Sequence, residues 1–433
     1  MDTHPPPPSY EIHGAAVPLP GSVELTVLGD WQVAVGGPHP VVIDVAGPDW
    51  VTVTDEKIGT LPEFKPANPG WLKGAALPGV KAQECSVTGA LDPASLVVQP
   101  ATPAAPAFVR SKDYDVDAVW GTVGRLASGR IAADEPVLLS YRYTRMRLDS
   151  VVRRADGSVA LVAGTPDVVR PLPPPLPDGA LRLANIFLPG PMSRLTADCL
   201  FPILETAYPV VTPTGAKLPK SLARLKEGGS LKILAWGDSV TDGSFLPHMA
   251  TDRWQEQFVT RLRKRFPAAR IELVTEAWGG RNTDTYLAEP PGSIHNFAEK
   301  VLAVKPDLIV SEFVNDAGFS APKVEAQYGK LLADFQGIGA EWIILTPHYV
   351  RPDWMGLTRQ RDIDDDPRPY VKALRVFAAA HDVPLADASA RWGRLWRRGL
   401  PYLTLLHNNI NHPDVRGMAL FADSLMELFP SQP

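Results

Sequence analysis

From Leu231 onward the sequence alternates between short apolar runs and longer stretches with helical spacing. Five runs have the length and composition of buried strands: LKILAW, RIELVTEAW, DLIVSEF, EWIILT and VPLAD. Apolar residues recur at helical intervals in the stretches between and after them, such as KVEAQYGKLLADFQGIG and RGMALFADSLMELF. This alternation is typical of a parallel sheet covered on both faces by helices. Right-handed crossovers bring the carboxyl ends of all its strands to one edge, where open α/β sheets bind ligands.

The first half of the chain has a different pattern, with dense proline and short alternating runs. MRLDSVV and SVALVAG flank Asp156-Gly157, a pair that favours a hairpin turn, and VELTVLG and WQVAVGG have the same character. Because 433 residues exceed the usual size of one compact core, we expect two domains. We predict a disordered or extended N-terminus at 1–19, a mostly β accessory domain with Pro-rich connections at 20–215, and an α/β domain at 225–433.

Composition argues against several classes of function. A net charge of −5 gives no support to nucleic-acid binding, which normally shows a basic excess. No apolar run approaches the ~20 residues that span a bilayer. The opening MDTHPPPPSY lacks the basic start and apolar core of a signal peptide, so by default we expect a cytoplasmic protein.

Cofactor and metal signatures are also missing from the sequence. No Gly-x-Gly-x-x-Gly follows the first apolar run, which argues against dinucleotide binding. Cys85 and Cys199 are too few for a disulfide framework and form no Cys-x-x-Cys metal motif. The acidic stretch DIDDDP, residues 362–367, is interpreted as a solvated loop that caps the next helix. We therefore expect no cofactor and no metal.

Ser239 lies in GDSVTDG, just past the first apolar run and therefore at the ligand-binding edge. It is either a nucleophile or a cap for the following helix. A serine hydroxyl becomes a good nucleophile when a base takes its proton, and that base is usually histidine. His348, after the fourth run, and His407 and His412, in the loop before the last helix, can reach the same edge.

Three short motifs now stand in order: Gly-Asp-Ser after the first run, Asn-Asp after the third, and His-Pro before the last helix. With this arrangement residues 231–430 resemble the SGNH, or GDSL-type, hydrolases. The resemblance implies a flavodoxin-like three-layer α/β/α domain with a five-stranded parallel sheet. It also implies that Ser239 is the nucleophile, that its backbone N–H and the side-chain amide of Asn315 form part of the oxyanion hole, and that His412 is the general base.

The family's glycine donor corresponds to one of two residues in TEAWGGRNT. Gly279 is favoured over Gly280, and Trp278 stands where the family often has glycine. Glycine lets a backbone N–H approach the substrate closely. An ordinary turn after the strand is the alternative explanation for this pair.

Two residues depart from the family pattern. Phe313 stands where the family's third motif usually begins with glycine, and Asn409 stands where the family has an aspartate three residues before the histidine. A carboxylate both orients the imidazole and stabilises its cation, whereas an amide oxygen does only the first well. We expect Asn409 or a backbone carbonyl to orient His412, which in practice leaves a Ser-His dyad. Asp414 is interpreted as a helix cap.

The resemblance implies hydrolysis of an ester, or a thioester, through an acyl-enzyme. Aromatic residues near the predicted edge, Trp278, Trp342, Tyr349 and Trp354, suit the flat faces of sugars, and they also suit packing of the domain. We predict an acetyl ester of a carbohydrate as substrate, with Trp278, Gly280, His348 and Arg351 in contact with it.

The competing hypothesis is a structural or carbohydrate-binding protein whose hydrolase-like domain has lost activity. Asn409 and Phe313 favour it, whereas the presence of Ser239, Asn315 and His412 together favours an enzyme. The run from SYRYTRMRLDSVVRRADG to PLPDGALRLANIFLP is weakly similar to β modules of phage tail and baseplate proteins. Such a module suits either carbohydrate binding or assembly.

Overall fold

A computed structural model describes residues 23–36, 39–102, 105–206 and 218–429. The extended N-terminus predicted for 1–19 and the domain end predicted at 215 lie outside these residues. Two regions with different architectures are present, an antiparallel β region up to residue 206 and an α/β region from residue 218.

The N-terminal region is built from short strands in small antiparallel sheets. They are β1 (Leu25–Leu28), β2 (Gln32–Val35), β3 (Val41–Asp44), β4 (Asp49–Ile58), β5 (Ala75–Ala76), β6 (Lys81–Ala82), β7 (Cys85–Ser86), β8 (Val97–Pro100), β9 (Tyr114–Val116), β10 (Thr122–Arg125), β11 (Val137–Arg145), β12 (Arg147–Arg153), β13 (Val159–Val162), β14 (Leu181–Leu188) and β15 (Leu200–Pro202). The predicted hairpin forms: β12 pairs with β13 around Gly157, whose φ of 85° fits a tight turn, and β1 also pairs with β2. The prediction of a mostly β first half is confirmed.

The C-terminal region contains a five-stranded, fully parallel sheet. Its strands are β16 (Ser230–Gly237), β17 (Arg270–Ala277), β18 (Leu308–Glu312), β19 (Glu341–Leu345) and β20 (Leu385–Ala386). Their order is β17-β16-β18-β19-β20. The strand that follows β16 in sequence, β17, pairs on one side of it, and the next strand, β18, pairs on the other side. This reversal of direction opens a crevice between the carboxyl ends of β16 and β18.

Helices cover both faces of this sheet, as predicted. They are α1 (Pro219–Lys226), α2 (Ser239–Asp242), α3 (Met249–Asp252), α4 (Trp254–Arg265), α5 (Thr283–Ala288), α6 (Ala321–Gly337), α7 (Pro369–Ala380), α8 (Ala388–Gly393) and α9 (Val415–Met426). Alternate residues of β16 pack into different clusters, Ile233 with α1, α4 and α9, and Leu234 with α6 and α7. This alternation produces the three-layer α/β/α arrangement.

Three local features differ from the sequence pattern. The stretch predicted as one helix after the serine loop is split at Arg253, whose extended ψ of 147° separates α3 from α4. The segment IHNFAEKVLAV forms only a short π-helix, Ala298–Leu302. Helix α1 packs Leu222 and Leu225 into the same core as β16, so we propose that the C-terminal domain begins near residue 218 rather than at 225.

The two regions share one continuous apolar core. A single cluster joins Val80 and Leu148 of the β region to Leu405 and Phe421 of the α/β region. Polar contacts also cross the boundary, including one from Asn185 Nδ2 to the carbonyl oxygen of Gly399 at 2.7 Å. The β region is therefore packed against the α/β region through buried side chains.

Candidate active site

The serine loop is shaped by the residues before Ser239. A Cβ on Gly237 would lie 2.1 Å from Thr241 Oγ1, so only glycine allows the chain to turn here into α2. Asp238 caps α2 by accepting the backbone N–H of Val240 at 3.1 Å. Ser239 is the first residue of α2 and lies at the carboxyl end of β16, beside the crevice. Ser239 is therefore held at the edge where ligands bind in this fold.

His412 faces this serine. Its Nε2 lies 3.3 Å from Ser239 Oγ across 173 residues of sequence. The ring of Phe245 stacks on the imidazole, with 4.2 Å between centroids and 5° between planes. Burial lowers the pKa of His412, partly opposed by the charge of Glu84. A neutral imidazole at this distance can accept the serine proton.

The other imidazole nitrogen faces the N-terminal β region. Nδ1 of His412 lies 3.0 Å from Gln83 Oε1 and 3.3 Å from Glu84 Oε1. These two residues form the turn between β6 and β7, where Ala82 pairs with Cys85. The structure thus places an amide oxygen and a carboxylate where the family pattern places an aspartate.

Asn409 does not occupy the predicted position. Its Oδ1 is buried without a hydrogen-bond partner, and its φ of 60° turns the chain between it and His412. The expectation that Asn409 orients the imidazole does not fit this geometry, because among the described residues Nδ1 of His412 contacts Gln83 and Glu84, whereas Asn409 Oδ1 contacts no donor.

Asn408 organises the loop instead. Its Oδ1 accepts the backbone N–H groups of Ile410, Asn411 and His412 at 2.9, 2.9 and 3.0 Å. Its Nδ2 donates to Glu84 Oε1 at 3.0 Å. One side chain therefore fixes the backbone of His412 and the carboxylate beside its ring. Asp414 caps α9 through the N–H groups of Arg416 and Gly417, as predicted.

Asn315 is held close to the serine by Asp238. Oδ2 of Asp238 accepts the backbone N–H of Asn315 at 2.9 Å and its side-chain N–H at 3.0 Å. Burial raises the pKa of Asp238 to about 7, although hydrogen bonds from the backbone N–H groups of Asn315 and Val240 act in the opposite direction. Phe313, one of the two departures from the family pattern, packs its ring edge-on against Trp236 in the core, with 4.7 Å between the ring centroids.

The two glycines after β17 differ in position. A Cβ on Gly279 would lie 3.8 Å from Ser239 Cβ, so the backbone of Gly279 runs beside the serine. Gly280 has φ of 71° and no atom within 4 Å of such a Cβ. This geometry supports Gly279 as the candidate donor and gives Gly280 the role of a turn residue.

The residues predicted to touch substrate are mostly engaged within the protein. His348 has no exposed surface, and its Nε2 lies 2.8 Å from the carbonyl oxygen of Asn411. Burial and Arg368 hold the pKa of His348 well below its usual value, so a neutral ring braces the His412 loop. Trp278 stacks on His295 at 4.5 Å. His348 therefore braces the His412 loop, and the face of Trp278 is occupied by His295.

Arg351 lies among three tryptophans from both regions, which we call the tryptophan patch: Trp71, the buried Trp120 and the exposed Trp354. The Arg351 guanidinium lies 4.6 Å from the Trp120 ring centroid, and its backbone N–H donates to the carbonyl of Ile410 at 2.7 Å. The ring centroids of Trp71 and Trp354 lie 5.8 Å apart, and the Trp354 side chain is 48% exposed. Trp342 and Tyr349, the other two aromatic candidates, are buried.

The acidic stretch at 362–367 is bound to arginines. Asp364 pairs with Arg397, Asp365 with Arg375, and Asp366 with Arg368. In the parts of the chain that the structure describes, no cluster of three or more His, Cys, Asp or Glu could hold a metal ion. Within the same residues, no helix is long and apolar enough to cross a membrane.

Gln83, Glu84 and Asn408 are the residues that sequence reasoning missed. KAQECS carries no motif, and its contact with the His412 loop spans 324 residues between Glu84 and Asn408. The sequence offered one indication: because Asn409 replaces the family aspartate, the Nδ1 atom of His412 needs an acceptor from another part of the chain.

Residues 235–420 match the family model of the GDSL-like lipase/acylhydrolase family. No curated protein matches the chain significantly. Among solved structures, a variant of an acetyl-xylooligosaccharide esterase from Geobacillus is 19% identical, with a TM-score of 0.37, over 46% of this chain and 94% of its own. A two-domain esterase active on acetylated mannans is 17% identical, with a TM-score of 0.40, over 49% and 52%.

A further structural match is a member of the lipolytic G-D-S-L family from Veillonella parvula. It is 20% identical, with a TM-score of 0.34, over 46% of this chain and 97% of its own. The match to the family model covers the serine loop, the Asn-Asp turn and the His412 loop. The predicted resemblance is confirmed for this part of the chain: residues 235–420 form a GDSL-like lipase/acylhydrolase domain.

Proposed function

We propose that this protein is a serine ester hydrolase in which Ser239 is the nucleophile and His412 the general base. The observation that carries the proposal is the 3.3 Å separation of Ser239 Oγ and His412 Nε2 at the β16–β18 crevice. The match of residues 235–420 to the acylhydrolase family model supports the same reaction class.

The reaction follows from this pair. His412 Nε2 takes the proton of Ser239 as Oγ bonds to the ester carbonyl carbon. The imidazolium then returns its proton to the alcohol oxygen as the ester C–O bond breaks, leaving an acyl group on Ser239. Water, deprotonated by the same nitrogen, attacks the acyl carbon and releases the acid. The Ser239 oxygen regains a proton and the site is restored.

Negative charge on the substrate oxygen requires donors fixed in advance. Asn315 Nδ2 carries two N–H groups, and Asp238 accepts one of them. We assign the second to the substrate oxygen, together with the backbone N–H groups of Ser239 and Gly279. Asp238 thus orients the Asn315 amide without touching the substrate.

The competing hypothesis, an inactive structural or carbohydrate-binding protein, depended on Asn409 and Phe313. Phe313 packs in the core without displacing Asn315 from Asp238. Gln83 and Glu84 stand beside Nδ1 of His412, where the family aspartate was missing. Neither Asn409 nor Phe313 is therefore an argument against catalytic activity.

For the substrate, we propose an acetyl ester carried on a carbohydrate. The tryptophan patch offers apolar ring faces next to the His412 loop, and Trp354 is half exposed. Exposed aromatic faces suit the apolar faces of sugar rings. Trp354→Ala should raise KM for O-acetylated sugars several-fold and leave KM for p-nitrophenyl acetate unchanged. An equal change for both substrates would remove the patch from the proposal.

The test of the reaction is steady-state hydrolysis of p-nitrophenyl esters of two, four and eight carbons by the full chain. We expect turnover that is highest for acetate and that falls at least about 10⁴-fold in Ser239→Ala. Ser244→Ala is the matched control, because Ser244 is an exposed serine of the same loop and its backbone N–H, which the substitution keeps, donates to Asp242 at 3.2 Å. Equal activity in wild type and Ser239→Ala would refute the proposal.

A further inference from the structure

The hairpin β6–β7 carries two residues into the candidate active site. Lys81 pairs with Ser86 and Ala82 with Cys85, which leaves Gln83 and Glu84 as a two-residue turn. Gln83 adopts φ of 54°, a left-handed conformation that costs a non-glycine residue about 1–2 kcal/mol. Such conformations persist where surrounding contacts hold them, and they cluster at functional sites.

Contacts on both sides hold this turn in place. Cys85 is buried in a small cluster with Trp120 and Ile410, two residues before His412. The Ser86 hydroxyl donates to the carbonyl of Trp120, and Asn408 Nδ2 donates to Glu84 Oε1 at 3.0 Å. The turn is therefore fixed against the same loop that carries His412.

We infer that the Gln83–Glu84 turn of the N-terminal β region takes the place of the aspartate that the family pattern lacks here, with Glu84 as a positioning residue for His412. The inference rests on the proposed function. Gln83 Oε1 and Glu84 Oε1 lie 3.0 Å and 3.3 Å from Nδ1 of His412. The neutral Gln83 oxygen fixes the Nδ1–H tautomer, whereas the Glu84 carboxylate also stabilises the imidazolium formed when Ser239 is deprotonated.

Other charged or titratable groups face His412 from its surroundings. Asp242 in α2 raises its pKa through space, and His407 in the same loop lowers it. The buried His348 lies behind the loop on Asn411. Among the described residues, Glu84 is the acid that combines charge with contact at Nδ1, and this combination distinguishes it from Asp242.

In this arrangement the β region is part of the catalytic apparatus. The ring nitrogen that must be oriented belongs to the α/β domain, and the groups that orient it belong to the β region. The shared core and the Asn185–Gly399 hydrogen bond keep the two regions together. Activity of the α/β domain should therefore depend on the contact between Glu84 and His412.

Two measurements on the full chain test the inference: the pKa of His412 by NMR of ¹⁵N-histidine-labelled protein, assigned with His412→Gln, and the pH profile of p-nitrophenyl acetate hydrolysis. In Glu84→Gln we expect a lower His412 pKa, because a stabilising negative charge is lost. The acidic limb of kcat/KM should move to lower pH with it. We also expect kcat to fall about 10- to 100-fold with KM within about twofold.

Two further variants distinguish a charge in contact with Nδ1 of His412 from a nearby charge that does not contact it. Asp242→Asn removes a nearby charge without a contact to Nδ1, so its kcat should fall less than about threefold. The double variant Gln83→Glu/Glu84→Gln moves the carboxylate to the oxygen now 3.0 Å from Nδ1, and should recover most of the lost kcat. An unchanged His412 pKa in Glu84→Gln, or a double variant no better than Glu84→Gln, would overturn the inference. If wild type lacks esterase activity yet the pKa still falls in Glu84→Gln, the proposed function fails while the positioning of His412 stands.

Discussion

The side-chain amide of Asn408 donates to Oε1 of Glu84 at 3.0 Å and so ties the tip of an N-terminal hairpin to the loop of His412. The same side chain accepts three consecutive backbone N–H groups through Oδ1. Its position one residue before Asn409 explains why the loop keeps its shape without the family aspartate.

Asn408→Ala should destabilise the fold and slow the reaction together. Three backbone N–H groups lose their acceptor, and each net hydrogen bond contributes about 1 kcal/mol, so we expect a loss of about 2–3 kcal/mol in the free energy of unfolding. Urea denaturation measures the loss. Asn408→Asp keeps the acceptor and should recover part of the stability but not the kcat, because it sets a carboxylate against Glu84. Wild-type kcat in Asn408→Ala would contradict this role.

Asn409 should matter for the backbone and little for the chemistry. Its φ of 60° is costly for alanine and easy for glycine. We expect Asn409→Ala to lower the unfolding free energy by about 1 kcal/mol, and Asn409→Gly to leave it nearly unchanged. Turnover of p-nitrophenyl acetate by either variant should stay within about threefold of wild type. A hundredfold loss in Asn409→Gly would show that the amide acts directly on His412.

Gly279→Ala and Gly280→Ala should have opposite effects. The added Cβ at Gly279 meets Ser239 Cβ at 3.8 Å, an ordinary contact that takes up space beside the nucleophile. We expect lower kcat/KM, most for longer acyl chains, with stability maintained. Gly280 has φ of 71° and open space around it, so its alanine variant should lose about 1 kcal/mol of stability and keep its activity. Comparing kinetics and thermal melting of the two proteins distinguishes these outcomes.

Asp238 should make stability depend on pH. Its pKa is raised by burial from 3.8 to about 7, so the folded protein binds this proton more tightly than the unfolded chain. The contribution of the neutral carboxyl is full below about pH 4 and is lost as the pH rises through 7. The unfolding free energy of wild type, measured relative to that of Asp238→Asn, should therefore fall between pH 4 and 8. Parallel curves for the two proteins would contradict the raised pKa.

Local sequence patterns were sufficient to predict the sheet and to bring Ser239 and His412 to the same edge of it. Each strand of the α/β domain is a continuous apolar run, and Ser239 and His412 are marked by motifs beside such runs or before the last helix. The order of elements then brings both to one edge, because parallel crossovers leave the carboxyl ends together.

The partner of His412 at Nδ1 could not be predicted in the same way. Gln83 and Glu84 lie in a six-residue hairpin whose position depends on packing of Cys85 and Ile410 across the two regions. His348 shows the opposite failure: its place after β19 suggested substrate contact, but the side chain is completely buried, with Nε2 against the carbonyl oxygen of Asn411. Contacts between distant segments decide both cases, and no local pattern encodes them.

The most direct measurement of the central claim is the site of reaction with a serine-directed fluorophosphonate, found by mass spectrometry of proteolytic peptides. We predict one adduct per chain, on Ser239, with labelling slowed at least about 100-fold in His412→Gln because the hydroxyl then lacks its base. An adduct on a different residue, or labelling of Ser239 at an unchanged rate in His412→Gln, would contradict the claim that the two side chains act as one nucleophilic pair.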